Sequence, residues 1–527
     1  IINNKSNIDT NGDDFLSEDE LRDAPTSFNP NNQNVTSKLE SLKGLEHFIN
    51  LTTVSIPNVS KLTNVDAVLN LPKLMTLNIS KTGVTGELDV SKLTSLTTLN
   101  VSGTGVTGLT GLSNLTAVTT LQIFNTGLSG ELDVSQLSAL TEITGYGTKI
   151  TGITFGEKNT NVSSVRMGGL TSLSSLSGLE YLTNQSGVTL KLQNTSVRSL
   201  NIPSGTNGSH AKFTEIDCSN NGALENIVIG ENVTVGILNL TDAAALTSIS
   251  FPTAPMNMTT LNLTGTTALT NLENLKSQLN TLTSLTLDGT NLGNSGTDLD
   301  FSGNTSITTL SLTNFPDTTV TLPTGDRLVN LTLNNVKVTD LDLSKRASLR
   351  TLSLVNLSGV AVKFPSGLTS LTLDNIDTTG LDFSNLTGLT RFSLANVKSG
   401  DIKLPTAASV TELTLTNVEA GTIDFSGMTG VENLTLNGVQ TTGDLELSPL
   451  TVATELSLTN VSGKKITFPA ANGVTSLTLD NVAGEVDLSS MAKLTTINLR
   501  NMPKGFHVDF GSNTTTTTLN LTGSDLS

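Results

Sequence analysis

The feature that most constrains this chain is one line of sequence written again and again at a nearly fixed interval. It reads Leu331-Thr-Leu333-Asn-Asn335-Val336 and returns as Leu352-Ser-Leu354-Val-Asn356-Leu357, Leu371-Thr-Leu373-Asp-Asn375-Ile376, Phe392-Ser-Leu394-Ala-Asn396-Val397 and Leu413-Thr-Leu415-Thr-Asn417-Val418. First anchors at 331, 352, 371, 392, 413, 434, 456 and 477 are 21, 19, 21, 21, 21, 22 and 21 residues apart. That period is too short for helix pairs or propeller blades, and it decides the architecture before any single residue is weighed. A second alternating run follows within each unit: Leu341-Asp-Leu343-Ser, Val362-Lys-Phe364-Pro, Leu381-Asp-Phe383-Ser, Ile402-Lys-Leu404-Pro and Ile423-Asp-Phe425-Ser. Period-two alternation means a strand with one buried face, so each unit is expected to supply two strands and almost no helix.

First anchors at 54, 77, 99, 121, 143, 165, 190, 216, 238, 261, 285 and 310 precede those above, and 497 and 519 follow, giving 22 rungs. A rung touches only its neighbours, so the length needs no division into several globular domains. Four segments are expected: 1–25 a candidate ion-binding loop, 26–50 an N-terminal cap, 51–300 irregular rungs and 301–527 regular rungs. Within the cap a helical pattern covers Ser37 to Phe48, with Leu39, Leu42, Leu45 and Phe48 three apart, and would shield the first rung's edge from other chains. Steps of 25 and 26 residues, from 165 to 190 and from 190 to 216, mark insertions, the places where function tends to sit. The last rung, anchored by Leu519 and Leu521, stops at Ser527 without a polar capping unit, so the natural protein is expected to continue.

Composition narrows the partners. A formal charge of -17 and a pI near 4.6 exclude nucleic acid, which needs clustered Lys and Arg. No apolar run approaches a bilayer span, so no membrane insertion is expected within this segment. The single cysteine, Cys218 in Ile216-Asp-Cys218, excludes internal disulfides and reads as a buried residue. His47, His210 and His507 are too scattered for a zinc or catalytic cluster. No phosphate loop, nucleophile elbow or metalloprotease helix appears, and no strand face carries the clustered Asp and Arg of a β-helix polysaccharide enzyme. The chain is therefore expected not to be an enzyme.

Residues 9 to 20 read Asp9-Thr-Asn11-Gly-Asp13-Asp14-Phe15-Leu16-Ser17-Glu18-Asp19-Glu20. This resembles an EF-hand calcium loop: Asp9, Asn11, Asp13 and Ser17 supply side-chain oxygens, Phe15 its carbonyl, and Glu20 the bidentate carboxylate. Asp14 stands where the family usually carries Gly, and Asp tolerates the left-handed turn better than most residues. A capping box between Ser17 and Glu20 explains the same end of the segment and is compatible with the loop, because the exiting helix begins there. Residues 1 to 8 are too short and polar for an entering helix, so calcium would be a structural staple rather than a sensor.

Leu74-x-x-Leu77-x-Ile79, Leu96-x-x-Leu99-x-Val101 and Leu328-x-x-Leu331-x-Leu333 resemble the leucine-rich-repeat strand motif, over nearly the whole chain after residue 50. The order of parts is more specific: the acidic loop, then Gly44-Leu45-Glu46 with Phe48-Ile49-Asn50-Leu51-Thr52, then Leu88-Asp-Val90-Ser-Lys-Leu-Thr-Ser-Leu. It is similar to secreted leucine-rich-repeat proteins of gut and oral bacteria and, more loosely, to internalin-type adhesins. The resemblance implies a right-handed leucine-rich-repeat solenoid, or horseshoe, with two short parallel strands per rung. It also implies a secreted or cell-surface protein that binds a protein or glycan ligand through its concave face; a structural spacer or stalk is the alternative. One departure concerns Asn, which here comes two residues after the second anchor instead of three, at 335, 356, 375, 396, 417, 460, 481 and 501, with Gly438 in the same column. Strand alternation would turn these amides inward, where they would pair from rung to rung.

Three outward columns complete the reading. Asp342, Lys363, Asp382, Lys403 and Asp424 alternate in sign, as an ion ladder would. Pro323, Pro365, Pro405 and Pro469 alternate with Ser302, Ser344, Ser384, Ser426 and Ser489 in the same two-rung rhythm, which suggests growth by duplication of two rungs at a time. On the first strand Thr286, Ser311, Thr332, Ser353, Thr372, Ser393, Thr414, Thr435, Ser457 and Thr478 make a hydroxyl stripe. Earlier rungs break that stripe with Gln122, Phe124, Tyr146, Arg166, Lys191 and Gln193. Aromatic and Arg residues are what binding hot spots favour, so these six are the candidate ligand-binding residues, although irregular packing around the insertions explains them equally well.

Overall fold

A computed structural model describes residues 17, 20, 25–30, 38–205, 208, 210–292, 299–338, 341–357, 361–377, 381, 383, 385–470, 473–511 and 513–524. They form a parallel-strand solenoid of stacked coils in two compact units, one of Ile1–Leu282 with Gly289–Asn291 and one of Thr283–Asp288 with Leu292–Ser527. In the first unit Val54, Leu77, Leu99, Leu121, Ile143, Val165, Leu190, Ile216, Leu238 and Leu261 lie in register on successive parallel strands. In the second unit Leu285, Leu310, Leu331, Leu352, Leu371, Phe392, Leu413 and Leu434 do the same. All of these anchors are buried, so the core is the stack itself. The second run of each unit forms its own parallel pairs, such as Thr85–Asp89 with Gly105–Thr110 and Leu341–Asp342 with Val362–Lys363. Among the described residues α-helix is confined to Glu20 and Leu275–Gln278.

The N-terminal segment differs from expectation. Ser27–Phe28 is a strand that pairs in parallel with Thr53 and Val54, extending the ladder by one rung. Over 38–48 there is no α-helix, only a 3-10 turn at Leu45–His47. Gly44, at φ 101°, interrupts any helix leading into it. Leu42, Leu45 and Phe48 are nevertheless buried, because a three-residue spacing is the 3-10 period, in which side chains at i and i+3 eclipse on one side. The same device turns later rungs: Leu93 N–H donates to the Val90 carbonyl (3.0 Å) and Leu96 N–H to that of Leu93 (2.9 Å).

The Asn column is also corrected. The residue two places beyond the second anchor has φ between 49° and 81° in every rung, from Asn58 and Lys81 through Gly103 and Asn125 to Asn501 and Gly523. A left-handed residue breaks the alternation, so Asn356, Asn375, Asn396, Asn417, Asn460, Asn481 and Asn501 face solvent instead of the core. The next residue enters the core at once, as Val336, Leu357, Val397 and Val418 do. Asn and Gly fill most of the column because they adopt this conformation at least cost. The amides do pair from rung to rung, but on the outside: Asn375 Nδ2 donates to Asn356 Oδ1 (2.8 Å), Asn417 to Asn396 (3.0 Å) and Asn481 to Asn460 (2.8 Å).

A second spine lies two residues before the first anchor. There the hydroxyl donates to the backbone carbonyl at the equivalent place one rung earlier: Thr97 to Met75 (2.9 Å), Thr119 to Thr97 (3.0 Å), Thr141 to Thr119 (2.9 Å) and Thr390 to Thr369 (2.9 Å). Replacing Thr119 by Val removes one such bond at nearly constant shape. Urea unfolding should register a loss of about 1 kcal/mol.

The two-rung alternation has a local cause. Where the second strand ends in Asp-x-Ser, the Asp carboxylate accepts the Ser backbone N–H, as Asp89 does from Ser91 (2.9 Å), Asp342 from Ser344 (3.1 Å) and Asp424 from Ser426 (2.9 Å). Where Lys replaces Asp, Pro stands two places on, at 365 and 405, and has no N–H to satisfy. Lys363 Nζ also donates to Asp342 (2.8 Å), while Asp382 lies outside the described residues. The Lys363 ammonium and then the Ser344 hydroxyl and N–H hold the Asp342 carboxyl below the usual carboxylate range. Its contribution is therefore complete above the ordinary carboxylate pKa of about 3.9 and fades as pH falls through the depressed value. Acid titration of unfolding should show a smaller fall in stability below about pH 4 for Asp342→Asn than for the parent chain.

Candidate first-strand binding face

Register places Gln122, Thr144, Arg166, Lys191 and Asp217 side by side on consecutive strands of the first unit. Two residues further along the same rungs come Phe124, Tyr146, Gly168 and Gln193. The six candidate residues thus lie on four neighbouring rungs. Phe124 and Tyr146 stack with ring centroids 4.7 Å apart and planes inclined by 19°. Tyr146 is 41% exposed, one of few large apolar side chains left so open.

The local sequence explains the geometry. Gly145 occupies the inward second-anchor position, where a Cβ would lie 2.6 Å from the Met167 sulfur, so Met167 fills the core beneath the tyrosine. Gly168 similarly admits the Gln193 amide, 2.5 Å from where its Cβ would be. Gln193 Oε1 is buried without a hydrogen-bond partner. Arg166 is exposed and its Nε donates to Ser164 Oγ at 3.1 Å.

Lys191 is different in kind from the other five. Its ammonium lies 2.5 Å from Glu215 and 3.4 Å from Asp217, so its charge is already answered within the protein. Those two carboxylates escaped the sequence reading; they become visible only once the 26-residue step is placed in register. Phe124, Tyr146 and Arg166 are the part of the face that can offer an aromatic platform beside a cation.

Of the calcium-loop residues, Asp9, Asn11, Asp13 and Phe15 lie outside the described ones. Ser17 and Glu20 make the capping box: Ser17 N–H and Oγ donate to Glu20 Oε2, both at 2.9 Å, and Glu20 N–H donates back to Ser17 Oγ at 3.3 Å. Cys218 is fully buried, and burial, assisted by the Asp217 charge, pushes its thiol up to about 12. It is unreactive at neutral pH. Among the described residues no cluster of His, Cys, Asp and Glu could hold a metal ion.

Residues 26–125 match the family model of the leucine-rich-repeat domain of the endo-β-N-acetylglucosaminidase EndoS. The fold is a leucine-rich-repeat solenoid. Among solved structures it is similar to YopM from Yersinia enterocolitica, at 15% identity over 85% of this chain and 87% of that one, with a TM-score of 0.50. The functional domain of InlJ from Listeria monocytogenes aligns at 19% identity over 68% of this chain and 76% of its own, with a TM-score of 0.33. No curated protein matches the chain. No helix among the described residues is long and apolar enough to cross a membrane.

Proposed function

We infer that this chain is a non-catalytic extracellular binding protein, an adhesin in the broad sense, that recognises a protein or glycan through the first-strand face of the rungs anchored at 121, 143 and 165. The observation that carries the reading is the stack of half-buried Phe124 on exposed Tyr146 with exposed Arg166 on the next rung, on a face whose outward column from Thr286 to Thr478 is a stripe of hydroxyls. Leucine-rich-repeat solenoids commonly serve as protein-binding scaffolds, which supports the same conclusion. The EndoS match adds a second line of support, since that domain belongs to a glycan-cleaving enzyme. The full chain is to be screened against arrays of glycans and extracellular-matrix proteins. Tyr146→Ala combined with Arg166→Ala is expected to weaken the ligand so found by about 100-fold or more, as loss of two hot-spot side chains does. Unchanged affinity would remove the face from consideration.

The hydroxyl column from Thr286 to Thr478 favours a spacer or stalk as the alternative. An array on which nothing binds supports it.

Calcium belongs to the same proposal, as a structural ion held by Asp9, Asn11, Asp13, the Phe15 carbonyl, Ser17 and Glu20. The all-oxygen donor set suits a hard cation. Calorimetric titration with calcium is expected to saturate one site and to lose that signal in Asp9→Ala; a flat titration of the parent chain rules the ion out.

A further inference from the structure

The insertions between the anchors at 165, 190 and 216 do more than separate rungs. Where they end, three consecutive rungs leave an open pocket of about 350 Å³ at the entrance to their first strands. Its walls include Thr183 and Gln185 from one rung, His210 and Lys212 from the next, and Asn232 and Thr234 from the third. The register of the strands holds these segments together: Lys212 N–H donates to the Leu182 carbonyl (3.2 Å), Thr234 N–H donates to the Ala211 carbonyl (3.1 Å), and Lys212 and Thr234 are paired neighbours.

The lining has two notable properties. In a protein of formal charge -17 it carries Lys212 and His210 and no carboxylate. Two of its lining residues also carry polar atoms that are buried with no hydrogen-bond partner, His210 Nδ1 and Thr234 Oγ1. Buried polar groups are nearly always satisfied, so a pair of exceptions in one pocket calls for a partner. Both side chains are only partly buried overall. A change of χ1 at Thr234 or a turn of the His210 ring would bring the orphaned atom toward an occupant. Lys212 Nζ already donates to the Gln185 carbonyl at 2.5 Å, which holds the ammonium at the rim.

We propose that this pocket binds a single carboxylate-bearing sugar residue. Lys212 takes the carboxylate, and His210, Thr234, Asn232, Gln185 and Thr183 take the ring hydroxyls. The volume falls within the range of small-ligand sites, about 300–1,000 Å³, and the side chains present are donors and acceptors without an aromatic wall. Neutral sugars would leave Lys212 unanswered. A bare anion would leave the two orphaned atoms unanswered. The proposal rests on the binding reading above and names a ligand class for a subsite separate from Tyr146 and Arg166.

The test is saturation-transfer NMR and calorimetry on the full chain with glucuronic acid, N-acetylneuraminic acid, glucose, N-acetylglucosamine and acetate. One of the two acidic sugars is expected to bind at least about tenfold more tightly than either neutral sugar or acetate. Lys212→Met and Thr234→Val, each confirmed folded by an unchanged thermal midpoint, should weaken it by about tenfold or more, while Tyr146→Ala with Arg166→Ala leaves it unchanged. The proposal is overturned if neither acidic sugar binds, if neutral sugars or acetate bind as well, or if both pocket variants bind like the parent. Should an array ligand depend on Tyr146 while no acidic sugar binds, the pocket fails and the binding face stands; the opposite pattern removes the face and keeps the pocket.

Discussion

Asn396→Val is expected to lower the unfolding free energy of the chain by about 2–3 kcal/mol, whereas Asn396→Gly should change it by less than about 1 kcal/mol. The reason is the backbone at this position, φ 52°, and not the amide alone. A β-branched side chain is a steric outlier in the left-handed region, costing about 1–3 kcal/mol, and glycine is not. Both variants lose the bonds from Asn396 Nδ2 to Asp374 Oδ1 (2.6 Å) and from Asn417 Nδ2 to Asn396 Oδ1 (3.0 Å), so that loss cancels in the comparison. Gly438, at φ 68° in the same column, is the natural precedent for the harmless substitution. Equilibrium urea unfolding of the three chains decides the matter. If Gly and Val were equally damaging, the amide ladder and not the backbone would be what selects Asn.

Phe392→Ala carries the other large effect. Phe392 takes a first-anchor place that its neighbours give to Leu371 and Leu413, is 2% exposed, and meets Phe383 edge-on at 5.7 Å, with Phe364 stacked on Phe383 at 5.4 Å. Truncation should cost about 3–5 kcal/mol through lost burial and the cavity left behind. Phe392→Leu, which restores the residue of the adjoining rungs, should cost less than about 1.5 kcal/mol. Because rungs are stabilised by their neighbours, the damage should spread along the stack and broaden the unfolding transition of the second unit. Calorimetry would see this as a van't Hoff enthalpy falling below the calorimetric one. A sharp transition, displaced but not broadened, would mean that the unit unfolds as one cooperative block.

The anchors were legible because a period of about 21 with internal alternation admits little else. Alternation itself misled at Asn335 and its column, since a positive φ leaves no mark on the spacing. A mark did exist in composition: Asn, Gly and once Asp exchange down that column at 58, 103, 125, 147, 242 and 438, and these residues share tolerance of the left-handed region. The Asp-x-Ser and Lys-x-Pro alternation could similarly have been read as the presence or absence of an N–H needing an acceptor. At Leu42, Leu45 and Phe48 a spacing of three suits both an α-helix and the 3-10 period, and only the positive φ of Gly44 separates them. The candidate face was legible in outline, because Tyr146 and Arg166 break a hydroxyl stripe. The pairing of Lys191 with Glu215 and Asp217 was not, because it depends on register across an insertion, and neither was the pocket at His210 and Thr234, which three rungs build together.

The most direct measurement is hydrogen exchange across the whole chain with and without the ligand recovered from the arrays. Slowed amides on the strands Thr120–Gln122, Glu142–Thr144 and Ser164–Arg166, with unchanged exchange along the hydroxyl stripe from Leu310 to Leu499, are the predicted result. Protection confined to that regular stripe, with the Tyr146 rungs unaffected, would contradict it.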